Sequence, residues 1–186
     1  MRIVLLLLAL MGPALANPGE SLTLPGEAHT GADARAVRFT FLCSANDGPQ
    51  VTGVLGVDLV VPRHETLRAI FDFDPFEGPD ARAGRLTTLE STAESGTVSL
   101  RAMVSGSIGV DPDAPFVFSA IAARRRDAAR LAELSRLLAP LTAGAARITW
   151  NQGNAKAGRP SIVARLDVSA ADSLRLRALL TPCLAR

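Results

Sequence analysis

The chain has 186 residues, a net charge of +2 and an apolar fraction of 48%, which suits one ordinary globular domain with a substantial core. So balanced a charge gives no electrostatic basis for binding nucleic acid or an anionic membrane. The aromatic residues are seven Phe, one Trp and no Tyr, a poor supply for a surface that stacks on sugars or bases.

The N-terminus has the pattern of a secretory signal peptide. A cationic Met1-Arg2 pair precedes an apolar run over 3–11, and a Gly-Pro break then leads to small alanines. We predict a signal peptide over residues 1–16, cleaved between Ala16 and Asn17. An uncleaved anchor or a buried helix is the alternative, but a membrane helix needs about 20 apolar residues. No later segment reaches that length, so we expect no membrane span after cleavage.

The mature chain is predicted to begin with a flexible arm. Residues 17–35 are rich in Gly, Pro, Ala and small polar side chains and show no sustained periodicity. A single domain is expected over 36–186. Its first strand is indicated at Val37–Cys43, where apolar and polar residues alternate. A turn over 46–49 and a second strand over 51–61 complete a predicted β-hairpin.

Further strands are predicted along the middle of the chain. In the second strand, Asp58 is expected on the face opposite to Val57 and Leu59. Alternation over 67–74 predicts a third strand, which the Pro- and Gly-rich segment 75–84 ends.

The next hairpin is predicted from strands over 86–92 and 97–104, joined across Glu94-Ser95-Gly96. A further strand is expected over 115–122.

The C-terminal third changes to a helical pattern. Leucines spaced three and four residues apart from Leu131 to Leu141 predict an amphipathic helix. Strands over 145–150 and 161–168 form another predicted hairpin, and Ser169 is placed to cap a last amphipathic helix. The fold class is therefore α+β, a mainly antiparallel sheet of hairpins with two helices in the C-terminal third.

The two cysteines are predicted to form a structural disulfide. Cys43 and Cys183 are the only cysteines, and an even number in an exported chain favours pairing. Two separate buried thiols or a redox-active cysteine are the alternatives. The chain has no C-x-x-C motif and no His near either thiol in sequence, which argues against redox chemistry.

The order of these elements resembles that of a known group of proteins. A cysteine-bearing first strand at Val37–Cys43, antiparallel hairpins, and a last helix over Leu174–Cys183 with the second cysteine form the pattern. It is similar to small bacterial envelope proteins of the invasion-associated locus B type and the type VI secretion accessory type. The resemblance implies a non-enzymatic role in the envelope.

An acidic stretch follows the predicted third strand. Its four carboxylates, from Asp72, Asp74, Glu77 and Asp80, have the hard oxygen atoms that Ca²⁺ prefers. The spacing fails the EF-hand pattern, since Phe76 occupies a ligand position. We therefore favour a solvated turn over a cation site, and predict no metal and no cofactor.

Candidate contact residues are few. The only basic run is Arg124-Arg125-Arg126, which fits either a solvated helix start or a contact for an acidic partner. The sole tryptophan, Trp150, is either a contact anchor or a core side chain, depending on its exposure. No catalytic constellation is found.

The sequence therefore favours a periplasmic or secreted binding or accessory module. Its partner is expected to be an envelope protein or a small ligand, and the oligomeric state stays open. One alternative is a hydrolase using carboxylates such as Asp72, Asp74 and Glu90. Another is an inhibitor or immunity-type protein that would protrude a loop such as 75–84.

Overall fold

A computed structural model of the chain describes residues 20–45, 53–77, 86–110 and 114–184. The described parts contain one antiparallel sheet and two α-helices. The strands are β1 Glu20–Thr30, β2 Asp33–Ser44, β3 Val54–Val61, β4 Thr87–Ala93, β5 Gly96–Ala102, β6 Ser105–Ile108, β7 Phe116–Ala123, β8 Ala146–Gln152 and β9 Ile162–Val168; the helices are α1 Ala128–Leu138 and α2 Ala170–Leu180. The α+β class is confirmed.

The sheet is curled, and its two edge strands approach each other at one end. Its strand order is β5-β4-β8-β9-β1-β2-β3-β7-β6, so β5 and β6 lie at opposite ends. Only Met103 and Val104 join these two strands in sequence, a link that spans at most about 10 Å. The short connection requires the curl, and it gives the sheet an inner and an outer face.

The two helices pack at one end of the curl. Helix α1 follows β7 and contacts β5 and β7, whereas α2 follows β9 and contacts β1 and β2. Both bury leucine stripes in the core, as the sequence predicts. Helix α2 begins at the predicted cap, because the Ser169 hydroxyl accepts a hydrogen bond from the Asp172 N–H at 3.1 Å.

The predicted disulfide ties α2 to the sheet. Cys43 near the end of β2 is bonded to Cys183 just after α2, with Cα atoms 5.8 Å apart, an ordinary separation for a disulfide. Both side chains are buried. The bond joins residues 140 positions apart in sequence, and it fixes the last helix to a central strand.

The predicted flexible arm is wrong over residues 20–35. This segment forms β1 and the start of β2, and β1 lies between β2 and β9 in the sheet. Leu24 and Ala28 alternate with exposed residues and point into the core. Pro25 and Gly26 obscured this alternation. They are tolerated because β9 pairs with β1 only from Glu27 onward. Residues 17–19 lie outside the described chain.

The predicted third strand over 67–74 is also wrong. The segment contains 3-10 turns at His64–Leu67 and Asp74–Phe76 instead. Its alternating phenylalanines serve an aromatic cluster: Phe71, Phe73 and Phe76 pack against Phe116 and Phe118 of β7 at centroid distances from 4.7 to 6.2 Å. This cluster closes the end of the curl that lies away from the helices.

The other predicted hairpins agree with the structure. Strands β2 and β3 pair antiparallel, as do β4 with β5 and β8 with β9. The turn predicted over 46–49 lies outside the described residues. The four-residue strand β6 was not predicted, because Ser105-Gly106-Ser107 has neither the apolar alternation nor the length of a typical strand.

Candidate contact face

The outer surface of the sheet has two unlike halves. On β4, β5, β8 and β9 most outward side chains are polar or charged and exposed, as in Glu90, Arg101, Arg147, Arg165 and Asp167. On β3, β7 and the second half of β2 they are mostly apolar and are half-buried or buried. We call this second half the contact face and define it by Thr40, Leu42, Val54, Gly56, Asp58, Val60, Val117, Ser119 and Ile121.

A row of polar side chains crosses the contact face from strand to strand. The strand registers place Thr23, Thr40, Asp58, Ser119 and Ser105 side by side on β1, β2, β3, β7 and β6. The Thr23 and Thr40 hydroxyls are hydrogen-bonded at 3.0 Å. Because cross-strand neighbours on one face lie within reach of each other, Asp58 stands at the centre of a line of hydroxyl groups.

Asp58 is the least well satisfied member of that row. Its Oδ1 atom is buried and has no hydrogen-bond partner among the described residues. Burial raises the pKa of the Asp58 carboxyl, and a hydrogen bond from Ser119 opposes this only in part. A buried acceptor without a donor costs about 1–3 kcal/mol. The contact face therefore contains a carboxylate oxygen that is buried without a hydrogen-bond donor from the described residues.

The apolar surroundings of Asp58 depend on a glycine. A Cβ at Gly56 would lie 2.7 Å from Cγ1 of Ile121 and 2.9 Å from the Ala120 carbonyl oxygen. The missing side chain thus lets Ile121 lie close against β3, two residues along the strand from Asp58. Side chains along β3 alternate between the inner and the outer face, which places Asp58 on the contact face. The sequence analysis predicts this position correctly.

The predicted arginine run lies just beyond one end of the contact face. Arg124, Arg125 and Arg126 follow directly after β7, and the helix begins only at Ala128. The Arg124 guanidinium donates to the Pro182 carbonyl at 3.4 Å, close to the disulfide. Arg125 and Arg126 are exposed. Their contact with a partner stays a prediction.

The prediction that Trp150 contacts a partner is wrong. Its side chain is fully buried, and its indole N–H donates to Oε1 of Gln152 at 3.1 Å. The Thr87 hydroxyl donates to the same oxygen at 2.8 Å. Trp150 belongs to the inner face of β8, as the alternation of Ile148, Trp150 and Gln152 requires. The core alternative is confirmed.

The described carboxylates of the acidic stretch form ion pairs with lysine and arginine side chains of the protein. Asp72 pairs with Lys156 at 3.1 Å, and Arg68 pairs with Asp74 at 2.9 Å and with Glu77 at 3.6 Å. Asp80 lies outside the described residues. Within the described ranges, no three His, Cys, Asp or Glu side chains are grouped so that they could hold a metal ion.

The carboxylates named for the alternative hydrolase do not line a common depression among those found in the described parts of the chain. Asp72 lines a small polar depression with Arg68 and Lys156. Glu90 lies on the outer face of β4, where it accepts a hydrogen bond from Ser99 at 3.4 Å. The loop proposed for an inhibitor, 75–84, is described only as far as Glu77.

Comparisons with known proteins give no further guide. No protein-family model matches the chain, and no curated protein or solved structure is significantly similar to it. Neither described helix has the length and apolar character that a membrane crossing requires.

Proposed function

We propose that this protein is an exported, disulfide-stabilised binding or accessory module of the bacterial envelope, and that the contact face receives its partner. The observation that carries the proposal is the difference between the two halves of the outer sheet surface. Both halves belong to the same sheet, but charged, exposed side chains predominate in only one of them. The other half is bordered by the exposed Arg38 and contains one carboxylate, Asp58.

An apolar area on a sheet face is typical of a surface that meets another molecule. The centre of such an interface is depleted in charge and contains a few polar groups that find partners on binding. Asp58 fits that description, because its Oδ1 atom has an unused acceptor site. A partner that brings an N–H or O–H donor to Asp58 would bind more tightly than one that leaves the carboxylate desolvated and unpaired.

Export is the second part of the proposal. The predicted signal peptide over 1–16 lies outside the described residues, and the Cys43–Cys183 disulfide is typical of an oxidising compartment. A role similar to that of the invasion-associated locus B or type VI accessory proteins is compatible with both features. N-terminal sequencing of the protein purified from periplasm should begin at Asn17. Recovery of an intact Met1 would contradict export by cleavage.

A matched pair of variants tests the contact face. Val117 and Val163 are both half-buried valines on the outer surface, but Val163 lies on β9 in the charged half. Affinity purification from envelope extract with the wild-type protein should recover a specific partner. Val117→Arg should lose that partner, because a desolvated cation disrupts an apolar contact, and Val163→Arg should keep it.

Equal recovery with both variants would contradict the assignment of this face. Failure of the wild-type protein to recover any specific partner would contradict the binding role itself. Thermal melting of both variants provides the folding control.

A further inference from the structure

A depression separate from the apolar centre of the contact face is lined by arginines. It lies where the start of β2 meets the turn after β3, and its lining residues are Ala34, Arg35, Ala36, Val37, Arg38, Pro62 and Arg63. We call it the arginine depression. The lining contains three guanidinium groups and no carboxylate.

Arg35 is the fixed part of the arginine depression. Its side chain is 11% exposed and binds Asp33 through two nitrogen atoms, at 2.7 and 2.9 Å. The hydrogen bond from Arg35 lowers the pKa of the Asp33 carboxyl, so this pair stays ionised and neutral overall. Arg35 also donates to the Pro62 carbonyl at 3.1 Å and to the Arg63 carbonyl at 3.3 Å. Arg35 therefore braces the turn and has little capacity left for a ligand.

Arg63 is the arginine of the depression whose side chain can contact a ligand. Its φ of 49° lies in the left-handed region, which costs a non-glycine residue roughly 1–2 kcal/mol. Its carbonyl accepts hydrogen bonds from Arg35 and from the N–H and hydroxyl of Thr66, the last two at 3.1 and 2.9 Å. These bonds hold the strained turn. The Arg63 side chain is exposed and forms no ion pair with any carboxylate in the described parts of the chain.

The charge of the arginine depression follows from these contacts. Asp33 pairs with Arg35 and acts on Arg63 only through its charge, without an ion pair, so Arg63 supplies the positive charge in this lining that a ligand can use. A guanidinium offers a planar pair of N–H donors that matches the two oxygens of a carboxylate or phosphate. A strained residue that carries such a group at a depression is a recurrent feature of ligand sites.

We propose that the arginine depression binds an oxyanion, the carboxylate or phosphate group of a small soluble ligand, with Arg63 as its anchoring side chain. This site is proposed independently of the partner, and Arg38 of its lining lies opposite Val60 at the edge of the contact face.

Titration of the oxidised mature protein with inorganic phosphate, and separately with acetate, tests the proposal. Amide chemical shifts are followed by NMR at constant ionic strength, because exposed charges are screened by salt. At least one of the two anions should give saturable shifts at the amides of residues 34–38 and 63–66. Saturation with neither anion at these residues would overturn the proposal.

Two variants distinguish the site from general attraction to arginine. Arg63→Gly removes the side chain and suits a positive φ, so the turn should be kept while anion affinity falls by at least about tenfold. Arg101→Gln, at an exposed arginine on the outer face of β5, should leave affinity unchanged. Equal loss in both variants, or none in Arg63→Gly, would refute the assignment.

A third arm separates a free ligand from a lipid headgroup. The protein is sedimented with vesicles containing anionic phospholipid and with neutral vesicles. A small soluble ligand predicts no cosedimentation with either. Arg63-dependent cosedimentation with the anionic vesicles alone would overturn the soluble ligand in favour of a membrane headgroup.

Discussion

Replacing Asp58 by valine should stabilise the protein while impairing its partner binding. The Asp58 Oδ1 atom is buried without a donor among the described residues, and such an atom costs about 1–3 kcal/mol. Asp58 is only partly buried, which favours the lower end of that range. Valine is β-branched, suits a strand, and packs beside Val60 and Ile121. We therefore expect a gain of about 1 kcal/mol in the free energy of unfolding at neutral pH.

The pH dependence of this gain gives the sharper test. Burial raises the pKa of Asp58 in the folded protein above the ordinary aspartate value of 3.8, so the folded state binds this proton more tightly than the unfolded state. The contribution of Asp58 to stability is therefore most favourable at a pH below 3.8 and is lost as pH rises through the folded pKa. The advantage of Asp58→Val should be largest at neutral pH and shrink on acidification.

Urea unfolding of the oxidised wild type, Asp58→Val and Asp58→Asn, measured from neutral pH down to about pH 3.5, checks this expectation. The difference between variants cancels the titration of the other carboxylates. Asp58→Asn removes the charge but keeps the shape, so it should also lose the pH dependence. A wild type that is more stable than Asp58→Val at neutral pH would refute the reasoning, as would a stability difference that does not change with pH.

Three further predictions concern the disulfide, a close approach at Gly56 and the buried tryptophan. Mutating Cys43 and Cys183 together to alanine should lower the unfolding free energy by up to about 5 kcal/mol, because the bond closes a long loop; urea unfolding with and without reductant measures this. Gly56→Ala should destabilise by about 1–3 kcal/mol, because the new methyl meets an isoleucine side chain and a backbone carbonyl, whereas Gly144→Ala, with nothing within 4 Å, should have little effect on the melting temperature. Trp150, the sole tryptophan and fully buried, should emit at short wavelength and resist acrylamide quenching until urea unfolds the protein; strong quenching of the folded protein would contradict its burial.

Regular alternation and helical spacing were enough to predict most of the fold. The strand at Val37–Cys43, the leucine stripe from Leu131 to Leu141 and the Ser169 cap depend on local periodicity, which the sequence displays directly. The Cys43–Cys183 bond followed from the number of cysteines and the compartment.

The errors have physical causes that lie outside local periodicity. Pro25 and Gly26 obscured the strand pattern of β1, because their effect depends on which neighbour β1 pairs with at that point. Phe71 and Phe73 alternate with polar residues as in a strand, but they lie in an irregular segment whose conformation is determined by tertiary packing in the aromatic cluster.

The candidate site was predictable only in part. The position of Asp58 on the outer face follows from alternation, but the burial of its Oδ1 atom is a property of the folded sheet. The register that aligns Thr40, Asp58 and Ser119 is a tertiary property. The arginine depression needs the left-handed turn at Arg63, which an arginine does not signal in sequence.

Site-specific photocrosslinking in intact cells tests the contact face most directly. A photoreactive residue is placed at Thr40 on the contact face or at Thr149 on β8 in the charged half, both half-buried threonines on the outer surface of the sheet. The proposal predicts a discrete crosslinked partner from position 40, identified by mass spectrometry, and none from position 149. The same crosslinks from both positions, or none from position 40, would contradict it.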